Sequence, residues 1–274
     1  VLRHGGDGGG PGEEDRPRAK TEFGFVEGTF KLSEPSSRRF SSFEGIPYAV
    51  PPIETLRFKP PVKLPEDVFY KPHEPLVAAR FAGACPQIDK LSGEYTGSED
   101  CLHLNVFSPE SSFMTGVRHP VLVWLHGGGF QFGSSSSEMF GPERLLEEDV
   151  VLVSLNYRLG PLGFLTTEDE AAPGNVGLLD QRLALEWVRD NIAAFSGDPD
   201  MVTLVGESSG GISVMAHLAS PASRGLFHRA IAMRGVWAEA PAEPIETVRE
   251  APPAPPSPPP APPPPDVEVR AGVR

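Results

Sequence analysis

The chain has 274 residues and a formal net charge of −13. That length can bury one sizeable core, and the charge argues against nucleic acid, whose phosphates need clustered Lys and Arg. No apolar run approaches the ~18 residues of a membrane span, and no basic-then-apolar leader stands near Val1.

Val1 to Lys20 is glycine-rich, charged and almost without apolar residues, so residues 1–20 are expected to be disordered. Thr21 to Phe30 and Phe40 to Phe43 alternate loosely between apolar and polar, as short antiparallel strands at a sheet edge do. Pro47, Pro51, Pro52, Pro60, Pro61 and Pro65 then forbid a regular helix and set an extended surface path. The two cysteines, Cys85 and Cys101, read either as buried thiols or as a pair. The pair is favoured, since closing a polar loop of about 15 residues is worth ~3 kcal/mol in the chain-entropy model.

Leu102 to Phe107 and Val121 to Leu125 read as strands. The second is wholly apolar and is expected to be buried on both faces at the sheet centre. Val150 to Leu155 repeats that pattern, and Leu178 to Phe195 carries apolar residues at helical spacing. Strand Val202 to Val205, helix Ser209 to Ala219 and strand Arg229 to Met233 follow. Such alternation predicts an α/β fold, a parallel sheet with helices on its faces. After Gly235 the pattern decays, and Pro252 to Pro265 reads as exposed polyproline II.

Two stretches carry chemistry. Gly206-Glu207-Ser208-Ser209-Gly210-Gly211 lies between a β-branched strand and a helix, the setting in which Gly-x-Ser-x-Gly acts as a nucleophile elbow. The motif alone is weak, and its context makes it informative. His126-Gly127-Gly128-Gly129-Phe130 leaves the end of strand Val121 to Leu125, where glycines let backbone amides turn toward an anionic oxygen. Together they point to acyl transfer.

At these residues the chain resembles the type-B carboxylesterase and cholinesterase family of α/β-hydrolases, over roughly Phe23 to Gly235. Further stretches carry the resemblance: Phe43 to Ala49, Leu56-Arg57-Phe58, Glu99 to Leu102, Asn156-Tyr157-Arg158 and Pro173 to Gln181. It implies an α/β-hydrolase fold, truncated, with a mostly parallel central sheet flanked by helices and small antiparallel N-terminal strands. It implies Ser208 as nucleophile and the amides of Gly128, Gly129 and Ser209 as the oxyanion hole. It also implies a Cys85–Cys101 disulfide, salt bridges Arg57–Glu99 and Arg158–Asp198, and a structural role for His126. A small-molecule carboxylic ester is the implied substrate, with no cofactor and no metal. Family and cysteine pair together imply secretion or a secretory-pathway lumen.

The pattern also breaks. A serine needs a histidine to take its proton and a carboxylate to orient that histidine. Only His217 and His228 follow Ser208, and neither matches the family's catalytic histidine; the acid is likewise unassigned. Residues 21–237 are therefore read as a partial domain and 238–274 as a disordered, proline-rich tail open to a protein partner. Such a chain is expected to be weak or inactive as an esterase; the alternatives are a non-catalytic interaction protein or an incomplete gene product. Ser196 stands where the family usually has Gly, and Arg234 where it usually has Ser.

Overall fold

A computed structural model describes residues 16–66, 68, 74–90, 92–109, 116–136 and 141–235. The expectations for residues 1–15 and for the proline-rich tail lie outside the described residues. Among the described residues, twelve strands follow in chain order: β1 Arg18–Thr21, β2 Gly24–Glu27, β3 Thr29–Leu32, β4 Arg39–Pro47, β5 Leu76–Val77, β6 Gln87–Ile88, β7 Tyr95–Thr96, β8 His103–Pro109, β9 His119–Leu125, β10 Val151–Leu155, β11 Gly197–Glu207 and β12 Arg229–Met233. The helices are α1 Gly160–Phe164, α2 Val176–Asn191 and α3 Ser209–Ala219.

Seven strands form the main sheet in the order β12-β11-β9-β10-β8-β4-β3. β12, β11, β9 and β10 are parallel, whereas β8, β4 and β3 add on antiparallel. The sheet is thus parallel on one side and an antiparallel meander on the other. Strand structure reaches back to Arg18, inside the stretch 1–20 read as disordered, because Arg16 and Arg18 both bond the Glu27 carboxylate at 3.0 and 2.9 Å.

The middle strand is β10, whose five residues are all buried. β9, expected at the centre and buried on both faces, alternates instead. Val121, Val123 and Leu125 enter the main core with Leu104, Val106, Trp187, Phe195 and Leu204. Leu122 and Trp124 face a much smaller cluster of Phe40, Phe107, Leu146 and Leu152, which covers them only in part. Helices α2 and α3 lie side by side, joined by a buried chain in which Gln181 donates to Ser213 Oγ at 3.1 Å. The Gln181 carbonyl accepts from His217 Nε2 at 3.0 Å, and Ser223 donates to His217 Nδ1 at 2.9 Å.

Cys85 and Cys101 form a buried disulfide with Cα atoms 5.0 Å apart. The Arg57–Glu99 pair is present, bidentate at 2.6 and 2.8 Å and half-exposed. The partner of Arg158 is not Asp198 but Asp180. The Arg158 guanidinium bonds both Asp180 oxygens at 2.8 and 2.6 Å, its amide adds a third bond at 3.0 Å, and both side chains are at most 3% exposed. The reason is topological. Arg158 follows the exit end of β10, whereas Asp198 sits at the entry end of the parallel strand β11, beside His119. There Asp198 accepts from the amide of Asp200, at 2.9 Å, in a local turn.

Ser196 has φ +62°, in the left-handed region that favours glycine, and Arg234 has φ +52°. A side chain costs roughly 1–2 kcal/mol in that conformation. Ser196→Gly is therefore expected to stabilise the chain by about 1 kcal/mol in urea unfolding. Asp180→Asn leaves a buried guanidinium without its counter-charge and should cost about 3–5 kcal/mol by the same assay, with Asp198→Asn close to neutral. Equal losses at both positions would contradict the pairing.

Candidate active site

β11 ends at Glu207 and α3 begins at Ser209, leaving Ser208 alone between them at φ +56° and ψ −121°. Two bonds hold this strained backbone: the Ser208 amide donates to the Met233 carbonyl at 2.8 Å, and its carbonyl accepts from Ile212 at 2.9 Å. The flanking glycines are steric necessities. A Cβ on Gly206 would stand 2.3 Å from the Gly210 carbonyl oxygen, and one on Gly210 would stand 2.1 Å from that of Leu125. Ser208 stays partly exposed, while Ser209 and Gly210 beside it are buried.

The glycine loop leaves β9, which lies next to β11, so the two sequence features meet at one end of the sheet. A Cβ on Gly127 would lie 3.3 Å from Ser208 Cβ and 2.8 Å from a Glu207 carboxylate oxygen. Gly128 has φ +115° and Gly129 φ +60°. Among the described residues, neither amide donates to a backbone carbonyl. Ser209, the third residue expected to donate an amide, opens α3, a helix end with an excess of N–H groups.

His126 supports the loop from within. Its Nδ1–H donates to the Gly127 carbonyl at 2.8 Å, and its ring stacks on Tyr157 at 4.4 Å. Tyr157 in turn donates its hydroxyl to the His126 carbonyl at 2.8 Å. Further along, the Asn156 carboxamide accepts from the Ser135 amide at 2.7 Å and donates to the Gly83 carbonyl at 3.1 Å. Tyr157 and Asn156 lie within the Asn156-Tyr157-Arg158 stretch, but no sequence signal showed what their side chains hold.

The histidines after Ser208 are placed elsewhere. His217 is nine residues into α3, ~13 Å along its axis, and both its ring nitrogens are engaged, one by Gln181 of α2 and one by Ser223 just beyond α3. His228 lies at the entry end of β12, where its Nδ1 accepts from the Val202 amide at 3.3 Å. Among the described residues, no group of three or more metal-ligating side chains converges, and no helix is long and apolar enough to cross a membrane.

Comparison with known proteins agrees with this geometry. Residues 15–248 match the model described as the carboxylesterase family. The chain is 43% identical over 235 residues to a juvenile hormone esterase of Tribolium castaneum, covering 84% of this chain and 38% of that protein. It is 45% identical over 223 residues to a para-nitrobenzyl esterase of Bacillus subtilis, covering 78% and 43%. The crystal structure of juvenile hormone esterase from Manduca sexta, with OTFP covalently attached, superposes with a TM-score of 0.73 at 38% identity, covering 80% and 41%. The chain thus spans less than half the length of these relatives.

Burial pushes both His126 and His217 down to about 4. For His217 the nearby Arg182 charge adds to the effect. A histidine whose folded pKa is depressed binds its proton more readily when unfolded, so stability is full above the ordinary value near 6.5. Stability should therefore fall as pH drops from 6.5 to about 4, by roughly 3 kcal/mol per histidine. Urea midpoints measured across that window should show this slope, and His217→Gln should remove about half of it.

Proposed function

The chain belongs to the carboxylesterase family, and from that premise we propose that Ser208 is the nucleophile of a serine esterase acting on a small-molecule carboxylic ester. Its hydroxyl attacks the ester carbonyl, and the amides of Gly128, Gly129 and Ser209 receive the charge that develops on the carbonyl oxygen. Loss of the alcohol leaves an acyl-enzyme, which water hydrolyses to release the acid. One observation carries this reading. A strained, partly exposed serine at the end of β11 stands against a glycine loop from the neighbouring strand, with Gly127 packed directly on Ser208.

Proton removal from Ser208 is the weak part of the machinery in this chain. His217 is buried, doubly bonded and held neutral down to about 4, which makes it a poor base as well as a remote one. His228 is at the far end of β12 from Ser208. Turnover by the chain itself is therefore slow, resting on the oxyanion site and on binding. The buried disulfide supports an oxidising compartment, the secretory lumen or the cell exterior. The proline-rich stretch Pro252 to Pro265 suits an aromatic groove on a partner protein.

Hydrolysis of p-nitrophenyl acetate by the purified chain should be slow and should vanish in Ser208→Ala. A fluorophosphonate probe should add its mass at Ser208. Equal hydrolysis by Ser208→Ala, together with no adduct on the unmodified chain, would overturn the assignment.

A further inference from the structure

The loop from His126 to Ser135 makes a tight return. The amides of Gln131 and Phe132 both donate to the Gly128 carbonyl, at 3.0 and 3.2 Å, and a Cβ on Gly128 would stand 1.9 Å from the Phe132 carbonyl oxygen. Gly133, at φ +111°, closes that return against its own beginning: a Cβ there would stand 2.5 Å from His126 Nδ1 and 2.6 Å from the Gly127 oxygen. The position of Gly133 therefore sets the backbone of Gly127 and Gly128.

Gly133 is fastened from outside the loop by one side chain. Its amide donates to Gln87 Oε1 at 2.8 Å, and its carbonyl accepts from Gln87 Nε2 at 2.9 Å. The same Nε2 donates to the Cys85 carbonyl at 2.9 Å, which fixes the carboxamide in that orientation. Gln87 stands on β6, paired with β7 in a hairpin enclosed by the Cys85–Cys101 disulfide. A second contact runs from the same hairpin, where the Lys90 ammonium lies 3.8 Å from the centre of the Phe132 ring.

We propose that Gln87 is a positioning residue for the oxyanion-binding loop: its carboxamide pairs with Gly133 as a neighbouring strand would, and so holds the amides of Gly128 and Gly129 toward the developing charge. This rests on the reading of those amides as oxyanion donors. The disulfide hairpin then supports catalysis by holding the loop in place. Each lost hydrogen bond loosens the loop, and misplaced donors slow a reaction that depends on their aim.

Two readouts on the full chain test it. Gln87→Met keeps the reach of the side chain and removes both bonds to Gly133, whereas Gln87→Glu keeps only the acceptor. Hydrogen exchange in peptides spanning 126–136 should rise about tenfold in Gln87→Met, less in Gln87→Glu, with exchange across α2 unchanged. Capture of a fluorophosphonate at Ser208 should show a limiting rate about tenfold lower in Gln87→Met at an unchanged half-saturating concentration, with Gln87→Glu between. Unchanged loop exchange, exchange raised throughout the chain, or a looser loop with a normal capture rate would each overturn the proposal. If neither the unmodified chain nor Ser208→Ala captures the probe, the nucleophile reading fails, and loop exchange alone then decides whether Gln87 holds Gly133.

Discussion

The fold is organised around the close crossing of the first turn of α3 over the exit ends of β9 and β11. Backbone touches backbone there: the Cβ positions of Gly206, Gly210 and Gly211 are already taken by the carbonyl oxygens of Gly210, Leu125 and Met233. No residue with a side chain fits without moving a strand. The crossing forces Ser208 into its strained conformation, and the amide bond to Met233 at the end of β12 keeps it there. Strain of this kind costs on the order of 1–3 kcal/mol and persists only where the surroundings over-determine it. Three parallel strand ends provide that surrounding.

Loops passing over those strand ends are held mainly by buried polar groups. Arg158 and Asp180 fasten the segment after β10 to α2, and Arg158 also donates to the Lys59 carbonyl at 2.8 Å, tying in the proline-rich belt. Asn156 and Tyr157, its neighbours, hold the two ends of the glycine loop. Leaving a buried polar group unpaired costs free energy, so such fastenings specify one arrangement of the loops where apolar packing would tolerate several. The arrangement around Ser208 thus depends on side chains that fasten the loops beside it.

Much of this was legible residue by residue. The bounds of α3 and β12 coincide with the sequence expectation, and the elbow lies where a β-branched run stops and a helical period begins. These features are local: each depends on residues within a turn or strand of one another. Ser196 also stood out as a residue in a glycine position, and its φ of +62° explains why. β9 was misplaced for a different reason. An apolar run shows that a strand can be buried, not how much lies above each face, and the cluster over Leu122 and Trp124 is small.

Composition, period and the two glycine motifs were sufficient for an α/β sheet, a serine on a turn and a glycine loop beside it. Partner choice was beyond their reach. The resemblance implies Asp198 as the partner of Arg158, and only the parallel strand directions put Asp180 at the correct end of the sheet and Asp198 at the other. Gln87 was invisible for the same reason, since it and Gly133 are 46 residues apart and meet because the disulfide hairpin folds over the end of β9. Local conformation follows from neighbouring residues, whereas long-range pairing depends on which strand ends face one another, and that is settled only when the sheet is assembled.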